Sequence, residues 1–117
     1  MTSAADSWWN EDRQDLFRSI EALTSEASDP SRIGVCLDTI LNDLELYDDP
    51  RQGAGAWLYD SELGLADRLG MQLHDAILDA TPVEAGAAAL ASREWGNVQA
   101  TAGALLRLME ANGDFTR

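Results

Sequence analysis

Apolar residues return at helical spacing in four places along the chain. Leu16, Ile20, Leu23 and Ala27 stand at i, i+4, i+7 and i+11, which predicts one stripe on a helix running from Ser7 or Asn10 to about Ala27. Ile33, Leu37, Ile40, Leu41 and Leu44 predict the buried face of a second helix, from Pro30 to about Leu46. The longest seam is Leu63, Ala66, Leu69, Gly70, Leu73, Ala76, Ile77 and Ala80, with Arg68, Gln72, Asp75 and Asp79 on the opposite face. Trp95, Val98, Ala102, Leu105, Leu106 and Met109 supply the last stripe, and a short Ala-rich stretch to about Ala91 precedes it.

The breaks between these patterns carry helix-end chemistry. Asp29 is a good N-cap and Pro30 suits a first helical position, where a missing N–H costs nothing. Asp60 or Ser61 starts the third helix, Thr81-Pro-Val-Glu84 reads as a capping box, Ser92 caps the last helix, and Asn112-Gly113 stops it. Gly86 weakens the Ala-rich helix. Strand alternation is almost absent. The expected fold is all-α: one domain over residues 1–117, a compact bundle of four or five helices, with residues 1–6 a loose tail. One long acidic, aromatic-containing loop interrupts it, from Leu44 to Tyr59, where Asp49-Pro50 marks a turn and Gly53 and Gly55 permit unusual backbone angles.

Charge sharpens this outline. The chain has 21 acidic residues against 8 basic ones, all Arg, for a net charge of -13. Residues 1–60 hold 13 of the acids and 4 of the arginines. So negative a surface repels phosphate backbones, which argues against nucleic-acid binding, and it attracts basic partners. From Asp38 to Asp60 there are six acids and one Arg, and Asp38, Asn42 and Glu45 form a stripe continued by Asp48 and Asp49. The single cysteine, Cys36, excludes an intrachain disulfide and any CxxC metal site. There is no signal-peptide pattern and no apolar run near the ~18–20 residues that span a bilayer, so a reducing cytoplasm and no membrane contact are expected.

Candidate chemistry is sparse. Read as an EF-hand from Asp48, the loop puts Gly53 at position 6, but Pro50 at position 3 and Tyr59 at position 12 offer no proper ligands. Zinc wants two or three His or Cys ligands, and the chain has one of each, on different helices. No metal or cofactor is expected. His74 fits the edge of the core, sharing a flank with Asp67, Met71 and Leu78; as a general base it would need Asp67 or Asp75 as its orienter. Cys36 fits a small buried hydrophobe, because a reactive thiolate needs an electropositive site and Asp38, Asp43 and Glu45 lie nearby. Trp57 and Tyr59 offer large contact area for little entropy loss, as interface anchors do.

Several of these pieces together resemble a known group. Asp38, then Leu44-x-x-Tyr-Asp-Asp-Pro50, Gly55-Ala-Trp-Leu58, Ser61-Glu-Leu63 and Leu73-His-Asp-Ala-Ile-Leu78 look like a family of small acidic helical proteins from high-GC bacteria. Glu94-Trp-Gly-Asn-Val-Gln-Ala-Thr-Ala102 is similar to that family's last helix, and the likeness spans roughly residues 33–110. Some members look like immunity-type proteins, which neutralise a toxin by binding it. The resemblance implies a helical binding protein and transfers no active-site residue.

The resulting expectation is a non-enzymatic domain that docks a basic protein partner. Asp38, Glu45, Asp48 and Asp49 would pair with its cations, and Trp57 and Tyr59 would anchor it. Two other readings stand beside this one: a small enzyme or ligand-binding domain using His74, and a homo-oligomeric structural protein, in the simplest case a homodimer, joined through Trp8 and Trp9.

Overall fold

The computed structural model describes residues 10–24, 29–49 and 52–113. Trp8 and Trp9, the Ser7 cap, Ala27 and Pro50 lie outside the described residues, and with them the self-association reading. Among the described residues there are five α-helices: α1 (Asn10–Thr24), α2 (Pro30–Asp38), α3 (Asp60–Ala76), α4 (Ala85–Ala91) and α5 (Trp95–Asn112). A π-helical turn, Thr39–Asp43, extends α2. The all-α bundle is therefore as expected; the only sheet-like feature among the described residues is an isolated bridge between Ala54 and Leu58.

The apolar stripes do build the core. Leu16, Ile20 and Leu23 of α1, Ile33 of α2, Leu69 and Leu73 of α3 and Leu105 of α5 are all completely buried. Each such side chain contributes about 1.5–3 kcal/mol of transfer free energy. α5 packs against both α1 and α3, while α2 packs chiefly on α4. That last crossing explains Gly86. A Cβ there would collide with the Pro30 carbonyl and press on the Gly34 amide. The glycine that weakens α4 as a helix lets it lie directly on the backbone of α2.

Helix ends follow local chemistry. The Asp29 carboxylate accepts the Ser31 N–H at 3.0 Å, with Pro30 opening α2. Glu62 reaches back to accept the Tyr59 N–H at 2.9 Å and fixes the start of α3. Gly113, at φ 70°, closes α5 and donates to the Met109 carbonyl. The Thr81–Glu84 pair also forms, the Thr81 hydroxyl donating to the Glu84 carboxylate at 2.9 Å. It closes a turn, however, and α4 begins only at Ala85. α3 stops at Ala76, one turn short of the expected Ala80.

The second helix departs most from its expected course. The Leu44 N–H donates to the Thr39 carbonyl at 2.9 Å, widening the last turn by one residue. Glu45 then adopts φ 51°, a left-handed conformation that costs a non-glycine residue about 1–2 kcal/mol. The Leu46 N–H closes back on the Ile40 carbonyl at 3.0 Å. This ending turns Ile40, Leu44 and Leu46 inward together, and all three are buried.

The long loop folds on itself around one acceptor. The Gly53 carbonyl takes the N–H groups of Ala56, Trp57 and Leu58 at 2.8–3.0 Å. The Gly53 α-carbon lies against the Trp57 indole, so that a Cβ would fall 2.6–2.8 Å from its ring atoms. Trp57 and Leu58 are thereby driven into the core.

Beneath this loop lies an ion pair that the apolar pattern does not announce. Arg13 and Glu62 are both completely buried and bind fork to fork at 2.7 and 2.8 Å. The guanidinium also donates to the Trp57 carbonyl at 3.0 Å and the Gly113 carbonyl at 2.8 Å, with a longer contact to the Met109 carbonyl at 3.4 Å. Asn112 Nδ2 donates to the second Glu62 oxygen at 3.0 Å. Charge buried this deeply is tolerated because each group is fully hydrogen-bonded.

Candidate partner-binding surface

The four carboxylates singled out by sequence are all exposed, on one continuous stretch of chain. Asp38 ends α2 and accepts the Asn42 side-chain amide at 2.6 Å. Glu45, Asp48 and Asp49 share the turn that follows, closed by the Asp49 N–H donating to the Glu45 carbonyl at 2.7 Å. The left-handed backbone at Glu45 begins this turn. Among the described residues no cation pairs with any of the four. Among the described residues their mutual repulsion meets no compensating cation, and the edge projects a negative field into solvent.

Of the two aromatic anchors, Trp57 falls elsewhere. Trp57 is only 2% exposed, so its indole is core and not available as a surface anchor. The self-folded Gly53 turn is the physical reason. Tyr59 is half-buried, with the Arg13 guanidinium 5.3 Å from its ring centroid. The ring that does stand beside the acidic turn is Tyr47, 41% exposed. It lies inside the acidic stretch, and its position between Leu46 and Asp48 was the signal available in the sequence.

Tyr47 stacks face to face on His74, with ring centroids 3.7 Å apart and planes within 2°. The imidazole is thus half-buried at the boundary of α3, as its helical position suggests. Its Nδ1 accepts no hydrogen bond and lies 3.6 Å from Asp75 Oδ1, beyond hydrogen-bond distance. Cys36 is buried, and burial pushes its thiol pKa up, with Arg32 pulling weakly the other way. That favours the protonated, unreactive form. Among the described residues no group of three or more His, Cys, Asp or Glu side chains is placed to hold a metal ion. No helix of the described residues is long and apolar enough to cross a membrane.

A second surface went unnoticed in the sequence. Three shallow grooves meet around the turn between α3 and α4. One lies beside Leu78, Asp79 and Ala88, one between Leu41, Ile77 and Pro82, and one between Val35, Asp38 and Val83. Ile77 and Ala80 join the first to the second; Gly34, Asp38 and Pro82 join the second to the third. Its signal was weak: Val35 stands off the α2 stripe, and Val83 sits in what reads as a capping box. Comparison with family models, curated proteins and solved structures finds no match to this chain.

Proposed function

We propose that this protein is a non-catalytic binding domain that docks a basic protein partner through Asp38, Glu45, Asp48 and Asp49, with Tyr47 as the adjoining aromatic contact. The observation that carries this reading is the exposed run of four carboxylates without a cation among the described residues. Such a field raises encounter rates with a cationic surface, and salt weakens it. An immunity-type role, in which binding neutralises a toxin, agrees with the resemblance of residues 33–110. The stack of Tyr47 covers one face of the His74 imidazole, which supports binding over chemistry centred on it. A reducing cytoplasm suits the buried Cys36 thiol.

The test uses an Arg-rich peptide as a minimal cationic partner, with association followed by stopped-flow fluorescence across a salt series. Changing Asp38 and Asp48 and Asp49 to Asn, with Glu45→Gln, should slow association markedly and flatten its salt dependence. Neutralising four exposed acids of other helix faces, Glu11, Asp15, Glu21 and Glu110, should do much less. Equal effects from the two variants would mean that net charge alone is being read and would sink the assignment.

A further inference from the structure

We propose that the joined grooves between α2, the 77–84 turn and α4 receive an amphipathic helical segment of the partner, apolar on one face and flanked by Arg or Lys. This rests on the reading above and names what the partner must present.

Exposure and charge carry the proposal together. Among the described residues five large hydrophobics are exposed, and three of them line these grooves: Val83 at 95%, Val35 at 67% and Leu78 at 63%. Val35 and Val83 line one groove and Leu78 another, joined to it through the groove between Leu41, Ile77 and Pro82, and solvent-exposed aliphatics gathered in this way, not scattered singly, mark an interaction site. The rim is anionic: Asp38, Asp75, Asp79 and Glu84 line the grooves, and among the described residues no basic side chain does. The groove beside Leu78, open to solvent, has a volume of about 560 Å³, room for more than one apolar side chain. No strand is present among the described residues to offer an edge for main-chain pairing, whereas an apolar groove between helices accepts the apolar face of an amphipathic helix.

Charge also selects the occupant against its rivals. A second copy of the chain would bring another net charge of -13 to an acidic rim. Residues 1–9 hold Asp6 and no basic side chain, so they match the rim no better. Asp38 belongs both to the groove wall and to the acidic edge, so one basic helix can engage the groove while neighbouring cations meet Glu45, Asp48 and Asp49.

The experiment uses the full chain and two synthetic peptides of identical composition. One carries Leu at helical spacing with Arg on the remaining face; the other is scrambled. Binding is read by fluorescence anisotropy, and the contact by amide chemical-shift changes. The patterned peptide should bind about tenfold or more tightly than the scrambled one, with shifts concentrated in residues 30–42 and 75–88. Leu78→Glu with Val83→Glu, both solvent-facing, should erase that preference while leaving the fold intact by circular dichroism. Equal binding of the two peptides, or an unaffected double variant, overturns the groove. If Glu45→Gln, Asp48→Asn and Asp49→Asn still abolish binding in that case, the acidic edge stands without it. If they change nothing, the edge falls too. A dimer that Leu78→Glu dissociates, or tighter peptide binding after removal of residues 1–9, would identify a different occupant and overturn the proposal.

Discussion

Glu62→Gln should destabilise the protein far more than its small change in shape suggests. The amide keeps the volume, and its oxygen can still accept from Arg13 and the Tyr59 N–H. Its nitrogen, however, faces two donors, Arg13 Nη2 and Asn112 Nδ2. A buried guanidinium then loses its counter-charge, a change that costs about 3–5 kcal/mol. That is a large part of the ~5–15 kcal/mol expected for a domain. Arg13→Met should cost a similar amount by leaving the Glu62 carboxylate buried without its cation. The double variant removes both charges, so its loss should fall short of the sum by about 2–3 kcal/mol. It should not return to wild type, because the buried Trp57 carbonyl loses its donor, at about 1–3 kcal/mol, while water can replace the donor at the half-buried Gly113 carbonyl. Urea unfolding followed by far-UV circular dichroism, with an unchanged slope, measures all three. A Glu62→Gln cost below about 1 kcal/mol, or additivity within about 0.5 kcal/mol, would refute this account of the pair.

Gly86→Ala would gain about 1 kcal/mol in a free helix, yet here the methyl meets the Pro30 carbonyl, so thermal melting should show a loss of about 1–3 kcal/mol. Glu45→Gly should raise stability by about 1 kcal/mol by relieving the left-handed backbone, whereas Glu45→Gln should not; equal melting temperatures for the two would refute the strain. Burial first, then Asp15 and Glu11, hold the Asp12 pKa above its ordinary value. The folded chain then keeps this proton to higher pH than the unfolded one, so Asp12's contribution to stability falls as pH rises through that window. An NMR titration of the folded protein with an Asp12 midpoint at or below the ordinary value would contradict this.

Helix identity was legible because it is written locally. Asp29-Pro30, the seam from Leu63 and Asn112-Gly113 each act within a few residues, and the structure keeps them. The π turn was not legible, because Ile33, Leu37, Ile40 and Leu44 fit an ordinary helix just as well. Trp57 was misplaced because its burial depends on a carbonyl at Gly53 collecting three amides, a matter of backbone geometry and not of composition. Arg13 and Glu62 did leave a trace. Arg13 continues the Leu16–Ile20–Leu23 stripe one step backward, and Glu62 stands four residues before Ala66 on the buried face of α3. A charge on an apolar stripe is ordinarily read as an interruption; two such interruptions, on helices that both pack against α5, can be partners. The exposed carboxylates were readable from sequence, but the grooves depend on how α2 crosses α4 and were not.

The guanidinium of Arg13 also bears on how the chain is made. Its acceptors at Glu62, Met109 and Gly113 lie 49, 96 and 100 residues further along the chain. A nascent polypeptide emerging from the ribosome carries that cation long before its last ligands exist. Until then the group must stay hydrated, and α1 cannot be sealed against the rest. The domain is thus expected to acquire its native packing in one late step, after the final helix is free of the exit tunnel, not helix by helix during synthesis.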